Sequence, residues 1–71
     1  MKKIYVSLSG HQTSISLEED FIHALNQIAR HDKVSIASII ESIDETRNPN
    51  SNLSSAVRSW ILRRYMQVSK L

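Results

Sequence analysis

Cysteine is absent, so neither a disulfide nor a zinc–thiolate site braces this chain. Glycine and proline occur once each, at Gly10 and Pro49. No apolar run approaches the ~18 residues that a membrane span needs. Residues 1–8 start like a secretory leader, but their apolar residues alternate with polar ones. No continuous hydrophobic stretch or small-residue cleavage site follows. The expectation is a cytoplasmic chain with no membrane partner. With 41% hydrophobic and 23% charged residues, the composition is globular rather than disordered.

Length sharpens the absence of staples. Seventy-one residues make one domain at most, spanning 1–71. A chain of this size buries only about 60% of its unfolded surface. Its core alone rarely supplies more than roughly 3–5 kcal/mol. With no cysteine, a partner chain is the leading source of added stability.

Acidic residues are missing from 1–17 and from 53–71, and every carboxylate side chain lies between Glu18 and Glu45. Basic residues at both ends suit an anionic partner, although helix-dipole matching and solubility explain the same pattern. Arg58, Arg63 and Arg64 form a basic group near the end, for which solvent is the simplest partner.

Catalytic and metal-binding patterns are missing too. His23 and His31 lie eight residues apart, two turns of helix and too far for one ion. His11 falls on a strand pattern. No H-x-x-x-H pair, nucleophile elbow, glycine-rich loop or paired-carboxylate motif occurs. Neither an enzyme nor a cofactor is expected.

What is present is a clear succession of periodicities. Ile4, Val6 and Leu8 alternate with polar residues over 3–8, the pattern of a strand. Alternation resumes over 11–17, where Ile15 and Leu17 are apolar. The first run is apolar at even positions and the second at odd ones, so one flat strand cannot hold both sets on one face. Gly10 therefore marks a turn or bulge.

Ser16-Leu17-Glu18-Glu19 reads as a capping box opening a first helix over about 18–31. Phe21, Ala24, Leu25, Ile28 and Ala29 form its apolar stripe. Ser35 is a good N-cap for a second helix over about 36–46, striped by Ile36, Ile39, Ile40 and Ile43. The short connection makes these helices neighbours. Asn48 to Asn52 is a turn cluster, and Asn52 or Ser51 caps a third helix over about 53–68. That helix carries Leu53, Ala56, Val57, Trp60 and Ile61, widened by Leu62, Tyr65 and Met66. Such breadth calls for packing by more than its own chain.

The fold class is mostly α with one short β-ribbon. Strand 11–17 needs a ladder partner. Residues 3–8 folding back as a hairpin supply one, and the same segment of a second chain supplies another. Size favours the second chain, with a two-fold axis making an antiparallel ribbon over the helices. Ile15, Leu17, Phe21, Leu25, Ile39, Ile40 and Trp60 would form the dimer core. Gln12, Ser14 and Ser16 would face outward. A two-stranded ribbon fits the DNA major groove, where Gln binds adenine and Ser bonds several base edges. Lys33, Ser35 and the backbone of Ile36 would hold a phosphate at the second helix's N-terminus.

The segments Gly10-His11-Gln12-Thr13-Ser14-Ile15-Ser16-Leu17-Glu18, Phe21, Ile43-Asp44, Arg47 and Asn52-Leu53-Ser54-Ser55-Ala56-Val57-Arg58 together resemble a bacterial branch of the ribbon-helix-helix family. The resemblance spans about residues 3–65. It implies an obligate homodimer that inserts an antiparallel ribbon into the major groove of double-stranded DNA and anchors phosphates at the second helix. It also implies transcriptional repression. Gln12 and Ser16 stand where basic residues are common in that branch, which lowers the electrostatic share of affinity. The loop between the first two helices lacks the glycine often found there. The alternative is a protein-interaction module that uses the same dimer, or a protein partner on the third helix, without DNA.

Overall fold

The even-to-odd switch in apolar phase is what a hairpin with a two-residue loop requires. In the structure, a computed structural model that describes residues 1–69, β1 (Lys2–Leu8) pairs antiparallel with β2 (His11–Leu17). Leu8 opposes His11, and Ile4 opposes Ile15. Partners thus combine one even and one odd position, and both apolar sets share one face. Ser9 and Gly10 form the loop with φ of 50° and 81°, the positive values that a type I′ turn needs at both centres. A Cβ at Gly10 would meet nothing within 4 Å. Glycine is favoured there by backbone conformation, not by crowding.

The hairpin is the first partner of β2, where size alone favoured a second chain. It takes one edge of β2 and leaves the other open. Among the described residues the sheet has only these two strands.

Three helices follow: α1 (Glu19–Asp32), α2 (Ile36–Thr46) and α3 (Leu53–Ser69). The capping box at Ser16 does not form. Glu18 is the N-cap of α1 and makes no side-chain cap bond. Ser16 and Leu17 stay extended because they pair with Lys3 and Lys2, and Leu17 is fully buried. Burying that leucine outweighs a cap bond. Helix α1 ends in a Schellman pair. The Lys33 N–H donates to the Arg30 carbonyl at 3.3 Å and the Val34 N–H to the Ala29 carbonyl at 3.0 Å. Lys33, at φ 58°, takes the left-handed position that glycine commonly fills.

The other caps follow their residue types. The Ser35 hydroxyl accepts the Ser38 N–H at 3.0 Å, and the Asn52 side chain accepts the Ser55 N–H at 3.2 Å. Arg47 bonds Asp44 at 2.7 Å and the Ser51 carbonyl, which ties the 48–52 turn to the end of α2.

The core lies between the inner sheet face and the helices. Val6, Leu8, Ile15 and Leu17 come from the hairpin, and Leu25, Ile28, Ala29, Ile39, Ile40, Ile43, Val57 and Ile61 from the helices. No charged or polar side chain is buried among the described residues. Strand β1 packs on α2, and β2 on α3.

Candidate nucleic-acid interface

Strand alternation puts Gln12, Ser14 and Ser16 on the face away from this core. Gln12 and Ser14 are exposed and Ser16 is half-buried. They do not stand alone. The register sets Ser7 opposite Gln12, Tyr5 opposite Ser14 and Lys3 opposite Ser16. The outward face is therefore a patch of six side chains, with Tyr5 72% exposed at its middle. Taken from β2 alone, that face is Gln12, Ser14 and Ser16 and carries no Arg or Lys. Lys3 corrects that, and the phase switch across Gly10 was the signal that would have found it. Lys2, on the other row, sits 3.5 Å from Glu19.

The other candidate residues cluster at the start of α2. Lys33 and Ser35 are exposed and Ile36 is half-buried. The Ser35 hydroxyl is used by Ser38, and its carbonyl accepts from Ile39 at 3.2 Å. The N–H groups of Ile36 and Ala37 in the first turn are left for an outside acceptor. Of the expected dimer-core residues, Ile15, Leu17, Leu25, Ile39 and Ile40 are buried within the single chain. Phe21 and Trp60 are partly buried and pack at its margin.

The arginines of α3 do not form one basic patch. Arg58 reaches Glu18 at 2.8 Å, across 40 residues of sequence. Arg64 grips both oxygens of Asp32. Only Arg63 of the three has no carboxylate partner among the described residues. Lys70 lies outside the described residues. The two ion pairs tie the two ends of α1 to α3.

The Arg58 guanidinium holds the Glu18 carboxyl below its ordinary range. Arg64, aided by His31, holds Asp32 far below its ordinary 3.8, and Asp32 in turn raises Arg64. Because the folded-state value of Asp32 is depressed, its contribution to stability is complete above about pH 5 and is lost as pH falls further. The melting temperature should drop on acidification below that point, and Asp32→Asn should flatten the drop. An equally steep acid limb in Asp32→Asn, followed by circular dichroism, would rule the pair out as its source.

A two-stranded sheet with a polar outer face, backed by three helices, defines a small β-ribbon and helix protein. A ribbon-helix-helix domain model matches residues 1–65. The chain belongs to that family, whose members are generally DNA-binding transcription regulators without enzymatic activity and bind DNA as dimers. No curated protein and no solved structure matches it. No described helix is long and apolar enough to cross a membrane.

Proposed function

We propose that this chain is a bacterial, cytoplasmic, homodimeric transcriptional repressor that reads DNA sequence with its β-ribbon in the major groove. All of residues 1–71 would form one domain, with β1 and α3 as additions to the ribbon and first two helices. The observation that carries the reading is the outward face of β2. Gln12, Ser14 and Ser16 project away from the core on a paired strand. Each has donor and acceptor groups matched to base edges.

The dimer is supported by the free edge of β2. In a two-residue hairpin the Leu8–His11 pair exchanges ladder bonds, and bonded pairs then alternate. The unpaired N–H and C=O groups on the open edge of β2 therefore belong to Gln12, Ser14 and Ser16. A second copy pairing there antiparallel satisfies them and removes an exposed edge. Ile15, Leu17, Leu25, Ile39 and Ile40 support that interface from beneath, and Phe21 and Trp60 have surface left to join it.

Phosphate contact falls to Lys33, Ser35 and the Ile36 N–H. Lys33 occupies a left-handed position at which a side chain costs about 1 kcal/mol or more. Lys33 is exposed and lies two residues before the Ser35 cap, so its charge is available to a phosphate at that helix start.

The test is solution mass followed by titration of a random-sequence duplex at about 50 and about 200 mM salt. Two Lys33 side chains on two phosphates by themselves give a roughly tenfold loss of affinity over that range, and any further phosphate contact steepens it. A monomer at micromolar concentration would remove the dimer. Affinity indifferent to salt would favour the second reading, a protein partner on the exposed Leu62, Tyr65 and Met66 of α3.

A further inference from the structure

Strand β1 gives the chain more outward surface than a single reading strand needs. Resting on the DNA-binding dimer above, we propose that β1 is a phosphate-contacting strand, with Lys3 and Tyr5 seated on the DNA backbone at the groove rim.

The geometry follows from strand spacing. Neighbouring strands lie about 4.8 Å apart. Joining two chains through the open edges of β2 makes a four-stranded sheet with β1 of each chain outermost. The two central strands are then about 5 Å apart and fit a major groove about 12 Å wide. The two outer strands are about 14 Å apart, wider than the groove. They cannot enter beside the central pair and lie over the walls, where the phosphates run.

The side chains at that place suit phosphate. Lys3 is exposed, points to the same face as Gln12, Ser14 and Ser16, and has no carboxylate partner among the described residues. Tyr5 is exposed, presents a hydroxyl on the same face, and makes no side-chain hydrogen bond among the described residues. Lys2 differs on both counts: it lies on the opposite row and is spent on Glu19. Neighbouring lysines thus separate direct contact from net charge.

The experiment measures affinity against salt for the full chain on a random-sequence duplex of about 20 base pairs, two helical turns. Lys3 and Lys33 from both chains neutralise four phosphates, a slope of log affinity on log salt near −3.6. Lys3→Ala should reduce that slope to about −1.8, and Lys2→Ala should leave it unchanged. Tyr5→Phe should weaken binding by about threefold to tenfold without altering the slope. Circular dichroism confirms that each variant is folded. Equal effects of Lys2→Ala and Lys3→Ala would overturn the inference, since net charge would then account for both. So would an unchanged slope in Lys3→Ala while the parent protein binds with salt dependence, and in that case the DNA-binding reading stands. Failure of the parent protein to bind any duplex would overturn both.

Discussion

Leu17→Ala is expected to remove most of the chain's folding stability. Leu17 is the last residue of β2 and is fully buried, in the same cluster as Leu25, Ile40 and Val57. Replacing a buried leucine by alanine removes transfer energy and leaves a cavity, at a cost of about 2–5 kcal/mol. A domain of this size has a total stability of roughly the same magnitude. Urea denaturation followed by circular dichroism reads the loss as a lower midpoint with an unchanged slope. Leu17→Met keeps the volume and should cost less than about 1.5 kcal/mol. An alanine variant as stable as the methionine one would show that Leu17 does not close this core. Its place also explains the start of α1. The chain stays extended until Leu17 is buried and turns helical only after Glu18.

Gln12→Ala should change what the protein recognises more than how tightly it holds DNA. Gln12 is exposed, sits beside the turn and opposes Ser7, so its side chain carries little of the fold. It bears no charge, and affinity for random duplex should be preserved. On a duplex selected from a random pool by the parent protein, discrimination at one base pair per half-site should fall by about 1–3 kcal/mol. Competition against singly substituted duplexes measures this position by position. Identical discrimination profiles for Gln12→Ala and the parent would remove Gln12 from base reading.

Much of this was legible in the residue order. The stripes Phe21–Ala29, Ile36–Ile43 and Leu53–Ile61 recur at helical spacing, and the helices fall within a residue or two of where that spacing puts them. Ser35 and Asn52 cap because a short polar side chain before an apolar stripe has few better uses. Gln12 and Ser14 face outward because Ile15 and Leu17 must face in. The capping box at Ser16 was a false signal. A local motif competes with a tertiary demand, and here the demand was the burial of Leu17. The partners of Arg58 and Arg64 were not legible, because their carboxylates lie 40 and 32 residues away, beyond any local pattern.

By itself, the sequence determined the elements, the caps of α2 and α3 and the two faces of each strand, since each depends on residues within a few positions of one another. The absence of cysteine also determined that no disulfide braces the fold. Only the tertiary structure decided which strand pairs with which, and therefore that Lys3 and Tyr5 share a face with Gln12 and Ser14. Pairing register is a relation between two strands, and it is set where one shared core has to accept the apolar sides of both at once.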